Sequence, residues 1–179
     1  DKKKLSDFDH SLRIGTSSLR RKAQLLNFNS TLKIDDIRGN VDTRISKMLD
    51  GEYDGLVMAA AGIERLGLED YITEYFDTDQ MLPAPGQGAI SVEFKKKNSE
   101  LFDILKDIND NETGLCTFYE RSFMNELGGG CNSPIGAYSF ISDKKKIITG
   151  SILSLDGSQV FKHSLEKDIS NDINIGKLL

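Results

Sequence analysis

The sequence is poor in the residues that mark secreted, metal-binding or membrane-spanning proteins. Its 179 residues include two cysteines and two histidines, and neither a Cys-x-x-Cys nor a His-x-x-x-His pair occurs. This content favours a reducing compartment over a disulfide-stapled secreted domain, and it indicates no metal site. No apolar run approaches the roughly 20 residues that cross a bilayer, and the start DKKKLSDFDH is too polar for a signal peptide. We therefore expect a protein that is not secreted and has no membrane partner.

Positive charge is not in surplus either. The formal net charge is −5, and the isoelectric point is near 5.1. Because binding to nucleic acid phosphates needs clustered Lys and Arg, a nucleic acid partner is not expected. Any site for an anion has to be local.

The first half of the chain predicts a series of βαβ units. Apolar runs at 12–15, 32–37 and 55–60 are the candidate strands. Helical patterns start after Ser17 and Asn40, which are good N-cap types, and a further helical turn follows Ala61. Alternation of strands and helices indicates parallel strands. The segment MLPAPGQGA at 81–89 concentrates Pro and Gly and predicts an ordered turn or hinge at a boundary.

The second half predicts a different arrangement. Residues 90–94 alternate like a strand, 99–108 form an amphipathic helix, and 112–127 form a second helix. Strands at 136–141, 147–155 and 160–165, joined by SDKKK and by Asp156-Gly157, make an antiparallel meander. The end NIGKLL resembles the start of a helix, so the chain looks truncated there. The expected fold class is an α/β domain of βαβ units followed by a small α+β domain with a three-stranded antiparallel sheet.

Arginines cluster where the predicted parallel strands end. Arg20 and Arg21 follow the first strand in GTSSLRR, at a helix N-terminus whose unpaired N–H groups and dipole favour an anion. Arg38 and Arg44 follow the second strand in IRGNVDTR, and Arg65 follows the third. Because such strand ends meet at one edge, the sequence predicts a site there for a ligand with several carboxylates. For GTSSLRR taken alone, a solvent-facing first turn is the alternative.

Cys131 lies in the loop GGGCNSPIG, between three glycines and Pro134. A thiolate there could act as a nucleophile or hold a covalent group, but a plain loop cysteine or a disulfide with Cys116 explains the spacing more simply. Cys116, in the middle of a helical pattern, is expected to be a small buried hydrophobe. Gln87, between the glycines of PGQGA, could reach a ligand at the hinge, although a purely structural turn is the simpler role.

Six motifs, in this order and spacing, resemble the porphobilinogen deaminase (hydroxymethylbilane synthase) family over about 13–156. They are GTSSLRR, IRGNVDTR, AGIERLGL, PGQGAI, NDNETGLCTFYERSF and GGGCNSPIG. The resemblance implies a transferase of tetrapyrrole biosynthesis, serving heme or chlorophyll, that joins porphobilinogen head to tail into hydroxymethylbilane with release of ammonia. It also implies a periplasmic-binding-protein-like α/β domain, a monomer when complete, and a cytoplasmic or plastid location.

The resemblance further implies a dipyrromethane cofactor, attached to Cys131 through a thioether, which primes the growing polypyrrole chain. Cofactor and substrate carboxylates would bind Ser17, Ser18, Arg20, Arg21, Arg38, Arg44 and Arg65. Hydroxyl or backbone donors would come from Thr16, Gly39 and Ala61, and Gln87 completes the candidate set.

The chain departs from the family in one respect that matters for catalysis. The family's catalytic aspartate lies in an N-terminal domain that no segment here matches, so we expect no catalytic residue in this chain and no turnover from it alone. We expect that domain, in the same or a separate chain, to be its partner. The implied division is a crossover segment (1–12), an α/β anion- and cofactor-binding domain (13–88), a strand and helix returning to the missing first domain (89–110), and an α+β cofactor-anchoring domain (111–179).

Two other interpretations of the residues remain open at this point. The chain could be a non-catalytic carboxylate-binding module of the solute-receptor or effector type, because βαβ domains with anion-binding strand ends serve there too. That module would hold a reversible ligand and an unmodified Cys131. A degenerate structural fragment without a ligand is the other interpretation.

Overall fold

The computed structural model describes residues 4–8, 11–97, 99–130 and 133–179. The strands are β1 (Arg13–Gly15), β2 (Lys33–Asp35), β3 (Gly55–Leu56), β4 (Ile135–Ser142), β5 (Lys145–Leu153) and β6 (Val160–Asp168). The α-helices are α1 (Leu19–Phe28), α2 (Val41–Leu49), α3 (Ala60–Glu64), α4 (Ser99–Leu105), α5 (Asn111–Glu126) and α6 (Ile175–Leu178). Within the described ranges, no helix is long and apolar enough to cross a membrane.

The first half forms a parallel sheet of order β2-β1-β3, as the βαβ pattern predicts. Ile14 in the central strand is opposite Ile34 on one side and Gly55 on the other. The outer strands are shorter than the apolar runs predict, because the residues after them leave the ladder and lead into the N-caps of α2 and α3. All three strands therefore end at the same edge, followed by a helix N-terminus in each case.

Polar N-caps fix the starts of the first two helices. The Ser18 side chain accepts a hydrogen bond from the Arg21 N–H at 3.4 Å, and Asn40 Oδ1 accepts one from the Thr43 N–H at 2.9 Å. The helix α1 thus begins one residue later than the sequence predicts, whereas α3 begins at Ala60, two residues earlier than predicted. These caps place the first turn of each helix at the carboxyl edge of the sheet.

The core of this half lies beside the sheet. Five buried side chains form it, each 9% exposed or less: Ile14, Leu25, Leu32, Ile34 and Val57. Ile14 and Ile34 come from β1 and β2, and Leu25 comes from α1. They meet because alternate strand residues and one stripe of the helix face the same layer. Burial of these side chains fixes the helix on the sheet.

The second half contains the antiparallel sheet of order β4-β5-β6 that the meander pattern predicts. Asp143 and Lys144, with φ of 50° and 60°, form the tight turn between β4 and β5. Two residues with positive φ match the right-handed twist of a hairpin. Gly176 of α6 lies so close to α5 that an added Cβ would be 1.9 Å from the Tyr119 carbonyl oxygen. The NIGKLL segment therefore forms a short helix against α5.

One predicted strand is wrong. Residues 90–94 form no strand, and Ile90 and Val92 are 82% and 56% exposed. A strand needs a neighbour to pair with, and neither three-stranded sheet supplies one to this segment. The helix predicted at 99–108 forms as α4 and then tightens to a 3-10 turn at Lys106–Ile108.

The described chain divides into two compact units. The first contains the described residues up to 82, with 133–135 and 151–161. The second contains the described residues of 83–130, with 136–150 and 162–179. The first break in the chain falls between Leu82 and Pro83, inside the Pro- and Gly-rich segment 81–89.

Candidate anion-binding site

A cavity of about 260 Å³ lies in the first unit, where the three parallel strands end. It takes residues from the N-terminal parts of α1 and α2 and from the start of α3. The lining residues are Arg21, Arg44, Gly39, Asn40, Val41, Met58, Ala59 and Gly62. None of these lining residues is acidic. Helix N-termini and guanidinium groups both favour a negative charge, so the lining favours an anion over a cation.

Two arginines from different helices supply the positive charge of the cavity. Arg21 donates to the Val57 carbonyl at 3.2 Å, and Arg44 Nε donates to the Gly39 carbonyl at 2.8 Å. Burial lowers the pKa of Arg21, and repulsion from Arg44 lowers it further. The two guanidinium charges therefore repel each other, and a negative charge between them would relieve that repulsion.

Gly39 shapes the wall of the cavity beside Arg44. Its φ of +121° is a conformation that favours glycine, and an added Cβ would be 2.7 Å from Thr43 Cγ2. Only glycine therefore fits this turn of the cavity wall without displacing Thr43.

The neighbouring arginine of α1 lies elsewhere. Arg20 is 5% exposed, is absent from the cavity lining, and donates from Nη1 to the Leu82 carbonyl. Burial lowers the pKa of Arg20 to about 10, and the charge of Arg21 contributes to the lowering. The sequence pairs Arg20 with Arg21, but the structure brings only Arg21 into the cavity.

Residues of GTSS connect the strand ends rather than line the cavity. Thr16 is 1% exposed; its N–H donates to the Asp35 carbonyl at 3.0 Å, and its Oγ1 accepts from the Ser18 N–H at 3.3 Å. Ser17 Oγ donates to the Ile37 carbonyl. These bonds tie the end of β1 to the chain around β2 and hold the first turn of α1 in place.

The remaining predicted residues lie outside the lining. Arg38, Ala61 and Arg65 are exposed, and Arg65 caps the C-terminus of α3. Gln87 belongs to the second unit, where its N–H donates to the Ala84 carbonyl at 2.9 Å in a turn. Cys131 lies outside the described residues, so the structure gives no position for it.

Some lining residues carry no chemical signal in the sequence. Met58 and Val41 are apolar and would pass for core positions, and Asn40 was predicted only as a cap. Their positions directly after a strand end or at a helix start are the signal that could have found them. The side-chain oxygen of Asn40 accepts hydrogen bonds from the Thr43 N–H and hydroxyl, at 2.9 and 2.6 Å.

Comparison with known proteins identifies the family. A family model described as porphobilinogen deaminase, dipyromethane cofactor binding domain, matches residues 1–103, and one described as the C-terminal domain of the same enzyme matches 114–179. The chain is 42% identical to porphobilinogen deaminase of Desulforamulus reducens, over 98% of this chain and 57% of that protein. The enzyme of Brevibacillus brevis is 40% identical over 92% and 53%, and that of Staphylococcus carnosus 43% identical over 89% and 53%.

The chain thus spans about half the length of the curated relatives it matches. The two family models together cover both the parallel-sheet half with its cationic cavity and the antiparallel half. The chain belongs to the porphobilinogen deaminase family.

Proposed function

We propose that this chain is the cofactor- and substrate-binding part of a hydroxymethylbilane synthase, a transferase that joins porphobilinogen head to tail with release of ammonia. The cavity between Arg21 and Arg44 carries the proposal. Porphobilinogen has an acetate and a propionate arm, so each added unit brings further carboxylates. A planar guanidinium binds a carboxylate through two parallel N–H bonds, which makes an arginine pair suited to such a ligand.

The cavity also suits the dipyrromethane cofactor, because this group consists of the same carboxylate-bearing units. In the proposal it is attached through a thioether to Cys131 and supplies the primer to which new units are added. The chain's own residues bind the carboxylates, neutralise their charge and orient the reacting end. The proposed binding set is Thr16, Ser17, Ser18, Arg21, Arg38, Gly39, Arg44, Ala61, Arg65 and Gln87. Arg20 supports this set from the buried side of α1.

The attachment is tested by intact mass and peptide mapping of protein made in cells that synthesise porphobilinogen. We expect a mass increase of two pyrrole units on the peptide that contains Cys131, and its loss in Cys131→Ser. Cys116→Ser is the matched control and should keep the adduct, because Cys116 is buried and burial raises the pKa of its thiol. A free thiol with reversible ligand binding would favour a non-catalytic carboxylate-binding module. An unmodified chain without any ligand would favour a structural fragment.

Catalysis is proposed to need a further N-terminal domain, because the family's catalytic aspartate matches no residue here. Exposed apolar side chains in 89–110, such as Ile90 and Ile108 at 82% and 73%, support assigning this segment to that domain. The same proposal includes the segment limits 1–12, 13–88 and 111–179 and a periplasmic-binding-protein-like α/β domain. It also includes a complete enzyme that is a monomer and a cytoplasmic or plastid location.

The need for an N-terminal domain is tested by measuring conversion of porphobilinogen by the purified chain, alone and after addition of the N-terminal part of a relative. We expect turnover only in the mixture. Turnover by the chain alone would contradict the assignment of the catalytic carboxylate to another domain.

A further inference from the structure

The two arginines of α1 face different surroundings. Arg21 lines the cavity, whereas Arg20 is 95% buried and binds the main chain of Leu82. Successive residues of an α-helix point about 100° apart, so one can face the ligand while the other faces the protein. Identical side chains in adjacent positions therefore have different partners.

Gln24 lies one turn after Arg20 and reaches the same residue. Its Nε2 donates to the Leu82 carbonyl at 3.1 Å, and the Leu82 N–H donates to its Oε1 at 2.8 Å. This two-way amide pair satisfies both main-chain polar groups of Leu82, which is 2% exposed. Buried main-chain groups are costly unless they are hydrogen-bonded, so this contact holds Leu82 firmly on α1.

Leu82 is the last residue of the first unit before the break in the chain. The residues that follow are held by the second unit. The Ala137 N–H donates to the Pro83 carbonyl at 3.0 Å, and the Gly86 N–H donates to Glu120 Oε2 at 2.6 Å. The chain is therefore fixed to different partners on the two sides of a single peptide link.

We propose that Arg20 and Gln24 are positioning residues that fix the exit of the chain from the carboxylate-binding unit at Leu82. Arg20 acts through Leu82 and not on the ligand, whereas Arg21 binds the ligand. The part of this proposal that concerns ligand binding rests on the proposed function. The part that concerns Leu82 does not.

The first test measures exchange of the Leu82 amide hydrogen by NMR in the full 179-residue chain. Gln24→Met removes the acceptor, and loss of a hydrogen bond speeds exchange by about 3- to 10-fold. Gln24→Glu keeps an acceptor oxygen and should restore slow exchange. Lys22→Met, on the same helix, is the control and should leave the Leu82 amide unchanged. Unchanged exchange in Gln24→Met would overturn the proposal.

The second test compares Arg20→Met with Arg21→Met for binding of porphobilinogen by calorimetry. We expect Arg20→Met to change the Kd by less than about 3-fold while speeding exchange at Leu82, and Arg21→Met to weaken binding by about 10-fold or more without affecting that amide. The opposite pattern would overturn the assignment of roles. If the wild-type chain does not bind porphobilinogen, the proposed function fails, and the exchange data still decide the role of Gln24 and Arg20.

Discussion

Removing the cavity arginines one at a time and together tests whether they bind the same carboxylate. Arg21→Gln and Arg44→Gln each delete a charged donor, and a hydrogen bond to a charged group contributes about 1.5–3 kcal/mol. Each single variant should therefore weaken porphobilinogen binding by about 10- to 150-fold. Because the two side chains line one cavity and repel each other in the free chain, their effects should not add.

The double variant should lose less than the sum of the single losses, with a coupling of about 0.5–3 kcal/mol. The assay is calorimetric Kd measurement on the four proteins of the cycle at one ionic strength, since salt screens such contacts. Lys22→Gln on α1 and Lys47→Gln on α2 are the controls, because each removes a positive charge outside the lining. Equal losses of binding free energy in these controls would refute the prediction that Arg21 and Arg44 bind the same carboxylate. Losses in the two single variants that add up to the double-variant loss within about 0.5 kcal/mol would refute it as well.

Two further predictions concern stability. Burial raises the pKa of Glu120 from its ordinary 4.5, against hydrogen bonds that lower it, so the stability that its protonation contributes is present below 4.5 and is lost as pH rises through the raised pKa. Urea unfolding of wild type and Glu120→Gln should show that the extra stability of the wild type shrinks with rising pH. Growth of that extra stability with pH would contradict burial as the cause of the shift. Gly157, with φ of +71°, leaves 2.5 Å between an added Cβ and the Asn27 nitrogen, so Gly157→Ala should destabilise the chain by at least about 1 kcal/mol more than Gly51→Ala, whose φ is +81° with open space around it. Equal losses in the two glycine variants would show that the close approach to α1 costs nothing.

Local sequence signals predicted the elements around the site well. Ser18 and Asn40 are cap residues with a fixed chemical role, and alternating strands and helices permit few topologies. The position of the cavity at the strand ends follows from the same rule, and so does the presence of Arg21 and Arg44 in it. The Asp156-Gly157 turn and the meander depend on local backbone preferences, which a sequence also displays.

The sequence by itself determined the parallel sheet, the antiparallel sheet, the arginine-rich edge and the family motifs, because each is signalled by short patterns of neighbouring residues. Only the tertiary structure decided which arginine faces the cavity, since a helix pattern gives angles between side chains but not the neighbours that surround them. The same reason applies to residues 90–94. Their apolar and polar residues alternate as in a strand, but a strand needs a pairing partner, and neither sheet provides one. Arg20 shows the difference most clearly, because its partner Leu82 is 62 residues away in the chain and no local pattern connects them.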